Sequence, residues 1–118
     1  MTTEDNKTLV RDYVEEVFNQ RRLAAVETFL APDDIDHTLP PALPTKIAGT
    51  KMAIAMYLRA VPDLHVTVED IVAEADRVAL RYISHGTQRG PLGPIPATGR
   101  QVNVSSYLID RIADGKIV

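Results

Sequence analysis

Apolar residues in the first half of the chain recur every three or four positions, which is the spacing of amphipathic helices. A stripe from Leu9 to Phe18 predicts a first helix that starts at Thr3, with Glu4 and Asp5 suited to its amino-terminal end. Leu23 to Leu30 predicts a shorter second helix that Pro32 ends. A third helix is predicted from about Thr50 to Ala60.

Alternation of apolar and polar residues, typical of strands, dominates the second half. It predicts strands over 64–73, 77–88 and 102–112, and a short earlier strand over 35–39. The stretch from Gly90 to Gly99 contains three prolines, which do not fit a strand interior, so we predict a long loop.

Helices followed by sequential strands indicate an α+β fold with a mainly antiparallel sheet. Three helices against one side of a curved sheet would form a cone-shaped α+β barrel with an apolar interior, which is a typical small-molecule cavity. We expect a single domain over 1–118, because no repeat or linker interrupts it.

Asp114-Gly115 is a hairpin signal, but only Lys116 to Val118 follow it. Three residues cannot pair with a strand of about eleven. We therefore expect the chain to stop within or just before its last strand. Either the natural product is longer, or the strand is missing, or another chain supplies it.

Composition narrows the function classes. The net charge is −3 with no basic stripe, which argues against nucleic-acid binding. There is no cysteine, so disulfides, thiolate metal sites and a cysteine nucleophile are excluded. The amino terminus is unlike a secretory signal, and no apolar run approaches the ~20 residues that span a bilayer. We expect a cytoplasmic protein that does not insert in a membrane.

Three stretches resemble the SnoaL-like polyketide cyclase family of the nuclear-transport-factor-2-like superfamily, which also contains ketosteroid isomerase and limonene epoxide hydrolase. They are APDDIDHTLP, PDLHVTVEDIVAEADRVALRYISHGTQRG and ATGRQVNVSSYLIDRIADGKIV. The resemblance covers nearly the whole chain. It implies a cofactor-independent, metal-free enzyme that closes a polyketide ring by aldol addition, or performs related isomerase chemistry, on a hydrophobic substrate.

The chain departs from the family pattern at three places. Gln88 stands where relatives often have histidine, and Leu108 stands at a commonly polar or acidic position. Relatives typically continue past GKIV to an aromatic residue and an aspartate that transfers a proton. The same fold without that acid would suit a non-catalytic ligand-binding or dimerisation module, which is the second hypothesis.

Two histidines are candidate catalytic bases. The resemblance favours His37 near the pocket rim, where it could take a proton or polarise a carbonyl. The Asp33-Asp34-Asp36-His37 cluster matches no calcium loop, so no metal is expected there. His85 would be the base only if the odd-numbered residues of its strand, over 77–88, faced the cavity.

On the strand over 77–88, the even-numbered residues continue the apolar positions Val78 and Leu80, so we expect them to face inward. Inward facing would direct Tyr82 and Gln88 to a ligand and His85 outward. The predicted substrate-binding residues are Tyr13, Met56, Tyr57, Tyr82, Gln88 and Ser106. The expected partners are a small hydrophobic molecule and a second copy of the chain in a homodimer.

Overall fold

The computed structural model describes residues 2–32, 46–92 and 94–118, which form three helices packed on one face of an open four-stranded antiparallel sheet. The predicted α+β class is confirmed. The helices are α1 (Thr3–Tyr13), α2 (Val26–Phe29) and α3 (Ile47–Ala60). The strands are β1 (His65–Glu74), β2 (Arg77–Thr87), β3 (Gln101–Ala113) and β4 (Lys116–Ile117), paired in that order.

Helix α1 starts at Thr3, as the sequence predicted, and a capping box on Thr2 precedes it. The Thr2 hydroxyl accepts a hydrogen bond from the Asp5 amide at 3.1 Å, and the Asp5 carboxylate accepts one from the Thr2 amide at 3.0 Å. These bonds satisfy amide groups that a helix start leaves unpaired. They also lower the pKa of the Asp5 carboxyl.

After Tyr13 the helix widens into a π-helical turn, Val14–Asn19. The turn ends with the Asn19 side chain against the start of β1. Its amide oxygen accepts a hydrogen bond from the Val66 amide at 2.7 Å, and its amide nitrogen donates to the Val66 carbonyl at 2.9 Å. Asn19 therefore pairs with β1 as the backbone of a neighbouring strand would.

The second predicted helix is a short 3₁₀ turn, Leu23–Ala25, followed by one α-helical turn. The third begins at Ile47, three residues before the predicted Thr50. The predicted strand over 35–39 lies outside the described residues.

The hairpin turns match the sequence signals. Asp114 and Gly115 both have positive φ, 52° and 74°, between the paired residues Ala113 and Lys116. Ile117 then pairs with Ile112 and forms a parallel bridge to Leu30, so β4 is tied to the end of α2. The loop predicted after β2 contains no named strand among its described residues.

Burial alternates along β2, and it confirms the predicted facing of this strand. Val78, Leu80, Ser84 and Gln88 are buried, and His85 is exposed. Helix α1 packs against β1 and β2 on that buried side, which we call the inner face. The residues of β3 with even numbers share it, because Leu80 pairs with Leu108 in the β2–β3 register.

Candidate substrate site

Hydroxyl groups gather on the apolar inner face. Tyr82 of β2 is the register partner of Ser106 of β3, and both are half-buried. Tyr57 reaches the same region from α3, packs against the buried core and interacts electrostatically with Tyr82. The structure thus brings together three of the six predicted substrate-binding residues.

The Tyr57 phenol is held in its neutral form. Burial raises its pKa above the ordinary value of 10.0, and the charge of an ionised Tyr82 would raise it further. At neutral pH the Tyr57 hydroxyl therefore carries its proton and can donate a hydrogen bond to an oxygen of a bound molecule.

Tyr13 and Met56 lie near the core in different ways. The Tyr13 ring packs edge-on against Phe18 and Phe29, with ring centres 5.9 and 5.8 Å apart. This aromatic cluster contributes to helix packing. Met56 is half-buried on α3, next to Tyr57 in the chain.

Gln88 holds the proline-rich loop. Its side chain is buried, its amide oxygen accepts a hydrogen bond from the Thr98 hydroxyl at 2.9 Å, and its amide nitrogen donates to the Pro96 carbonyl at 3.3 Å. Its backbone carbonyl accepts from the Gly99 amide. The amide group that was predicted to contact a ligand is therefore hydrogen-bonded to residues of the loop.

Of the two predicted catalytic histidines, His85 alone lies among the described residues. His37 lies outside the described residues. His85 is exposed on the outer face, beside His65. The reversed facing on which a His85 base depended is not the one observed, because its neighbours Ser84 and Gly86 occupy the inner side.

Sequence reasoning missed Asp110. It is half-buried on β3 opposite Val78, at the same inner-facing positions as Ser106 and Leu108. Among the described, paired inner-face positions of β1 to β3, it is the one carboxylate. The even-numbered alternation of β3 was the signal that could have found it.

The outer face of the sheet carries a shallow depression of about 560 Å³, on the opposite side from the tyrosines. Val72, Tyr107 and Ile109 line it with large exposed fractions, 64%, 79% and 66%. An ion pair between Arg81 and Asp70, 2.8 Å long, borders it. Its wide opening and exposed apolar lining suit a flat contact better than an enclosed ligand.

Two features are absent from the described ranges 2–32, 46–92 and 94–118. No helix there has the length and apolar character needed to cross a membrane. No group of three or more potential metal ligands converges there either.

An α+β fold of this kind, with hydroxyls on the helix-covered face of an antiparallel sheet, is that of the nuclear-transport-factor-2-like proteins. The family model for SnoaL-like polyketide cyclases matches residues 8–118. The chain belongs to this family. No curated protein sequence is significantly similar to it.

Solved structures agree with this assignment. TsrD from Streptomyces laurentii is 29% identical with a TM-score of 0.87, and the match covers 99% of this chain and 85% of that one. IdmH from Streptomyces antibioticus, described as a candidate polyketide cyclase, is 28% identical (TM-score 0.79; 96% and 86% covered). AclR from Streptomyces galilaeus, described as a candidate hydroxylase, is 29% identical (TM-score 0.80; 99% and 76% covered).

Proposed function

We propose that the protein is a cofactor-independent enzyme with cyclase or isomerase chemistry, which closes a ring of a hydrophobic, polyketide-like substrate by aldol addition at the inner face. The observation that carries the proposal is the neutral, half-buried Tyr57 hydroxyl beside Tyr82 and Ser106 on an apolar surface. Family membership and the description of IdmH support the reaction class.

The hydroxyls suit the step in which charge develops. In an aldol closure a base removes a proton next to one carbonyl, the enolate carbon attacks a second carbonyl carbon, and the new alkoxide takes up a proton. Donors placed in advance beside the enolate or alkoxide oxygen lower the barrier, since they need no reorganisation as charge appears. Tyr57 and Tyr82 would supply these donors, and Ser106 would orient the substrate.

The catalytic base must be a side chain that accepts a proton near neutral pH. His37 remains our first proposal for this role, because an imidazole titrates in that range. Asp110 is the second, because it is a half-buried carboxylate on the same face. Variants His37→Ala and Asp110→Asn, compared for turnover at matched folding, distinguish the two.

The test uses purified protein and a panel of synthetic linear β-polyketone thioesters, with ring-closed product followed by liquid chromatography and mass spectrometry. We expect acceleration over buffer, and a fall in kcat of about 100-fold for Tyr57→Phe, the order found when an oxyanion donor is removed. Tyr107→Phe is the matched control, because that hydroxyl lies on the outer face. No acceleration of any panel member would refute the cyclase.

The second candidate, a non-catalytic binding or dimerisation module, is favoured by the outer-face depression. An exposed apolar patch of this kind is typical of protein contacts, and a second copy of the chain is the partner we propose. Ile109→Lys should convert a dimer to a monomer in sedimentation analysis. Ile95→Lys, on an isoleucine 55% exposed in the loop, should not. A wild-type monomer at high micromolar concentration would refute the homodimer.

A further inference from the structure

Two imidazoles lie side by side on the outer face, where the proposed substrate site does not use them. His65 of β1 and His85 of β2 are direct register partners, and both are exposed. Their ring centres are 5.5 Å apart, with the ring planes tilted by 55°. Neither imidazole has a hydrogen bond or ion pair with another residue in the part of the chain that the structure describes.

We propose that His65 and His85 form a two-histidine chelate for a divalent transition-metal ion that prefers imidazole nitrogen, such as Zn²⁺. Zinc binds histidine nitrogen at about 2.0–2.1 Å, and a tetrahedral angle between two such bonds puts the ring centres about 5 Å apart. The observed 5.5 Å is close to this separation. Small side-chain rotations would direct one nitrogen of each ring to a shared ion.

The register makes this juxtaposition specific. Directly opposed residues on neighbouring strands have Cβ atoms about 4.5–5.5 Å apart, whereas a slip by one residue would send one imidazole to the inner face. The chain supplies two ligands, so water or a donor from another molecule would complete the coordination.

The Asp63 carboxylate lies at the end of β2, next to Thr87. Thr87 follows His85 by two residues, about 7 Å along the strand. The Asp63 carboxylate accepts hydrogen bonds from the Thr87 amide at 2.7 Å and hydroxyl at 3.0 Å. These bonds hold a carboxylate at the end of β2, the strand on which His85 lies.

The pair is also separate from the proposed dimer contact. Arg81, the β2 residue of the outer-face depression that is nearest to His85, precedes it by four residues, about 13 Å along a strand. A metal ion at the histidines would therefore lie beyond the patch around Ile109.

The test is isothermal titration of the untagged full chain with zinc chloride, and with magnesium chloride for comparison. We expect one Zn²⁺ per chain with micromolar affinity, no Mg²⁺ binding, and a loss of at least about tenfold in affinity for His65→Ala and for His85→Ala. Asn103→Ala, which changes the outer-face neighbour of His85, should bind as the wild type does.

Variant His37→Ala removes the third histidine and identifies binding elsewhere. Retained affinity in His37→Ala supports the pair. The inference fails if wild-type protein shows no Zn²⁺ binding at millimolar metal. It also fails if His65→Ala and His85→Ala bind as tightly as the wild type. NMR spectra would test the pair without mutation. If the pair binds Zn²⁺, the ring signals of two of the three histidines should shift when the metal is added.

Discussion

A single methyl group added at Gly86 should destabilise the fold, because it would clash with buried neighbours. A Cβ on this residue would lie 2.5 Å from Val61 Cγ1, 3.0 Å from the Asp63 carboxylate and 3.2 Å from Leu64 Cα. Carbon atoms pack at about 3.5–4.0 Å, so Val61 would have to move by about 1 Å. Val61 is fully buried, and its carbonyl accepts a hydrogen bond from the Leu64 amide, so this turn has little room to adjust.

We expect Gly86→Ala to lower the free energy of unfolding by about 2 kcal/mol, within the range for overpacked cores. For a domain of this size the melting temperature should fall by about 8 °C. The assay is urea unfolding followed by far-UV circular dichroism, because the chain has no tryptophan. A lower urea midpoint, with an unchanged dependence of the free energy of unfolding on urea concentration, would show that stability alone has changed.

A double-mutant cycle tests the stated cause. Val61→Ala alone should cost about 2 kcal/mol through the cavity it leaves. Combined with Gly86→Ala it should cost at least about 1 kcal/mol less than the sum, because the smaller side chain makes room for the new methyl group. Strict additivity, or a wild-type midpoint for Gly86→Ala, would refute the reasoning. Gly99→Ala is the control that adds backbone strain without a clash, since φ is +70° there and no atom lies within 4 Å of the position of an added Cβ.

Three other predictions use the polar contacts. Asn19→Asp should destabilise the protein by about 1–3 kcal/mol, because its carboxylate faces the Val66 carbonyl without a donor; an unchanged urea midpoint would contradict this. Gln88→Ala should speed amide hydrogen exchange at Gly99, whereas Gln101→Ala, at an exposed position, should not; equal rates would argue against the loop anchor. Asp63→Asn should lower the free energy of unfolding near neutral pH, and this loss should shrink as the pH falls through the lowered pKa of Asp63, because the carboxyl group stabilises the fold only in its ionised form. A difference from the wild type that stays constant between about pH 2 and about pH 7 would exclude this linkage.

The strands and their facing could be predicted because each depends on residues adjacent in sequence. Alternation around Val78 and Leu80 determined which side of β2 is buried, and Asp114-Gly115 determined the turn between β3 and β4. The role of Gln88 could not be predicted in the same way. Its partners Pro96 and Thr98 are brought to it by the closure of a loop, for which a sequence pattern gives no distance.

Asp110 shows the opposite case, because the alternation of β3 was sufficient to place it on the inner face, although the family resemblance pointed to Leu108. Both residues share one face of β3, so the structure places a carboxylate two residues beyond the position expected to be polar. The Tyr57–Tyr82 proximity lay between these cases, because each residue was predicted to face the cavity, but only the packing of α3 brings them together.

The π-helical turn at Val14–Asn19 makes the length of this segment a constraint in its own right. Such a turn holds one more residue than an α-helical turn, and each residue of an α-helix rotates the chain by about 100°. Deleting one residue here would restore regular α-helix and rotate Asn19 away from Val66. Natural length variation should therefore fall in the loops and spare this segment, although its side chains are free to differ.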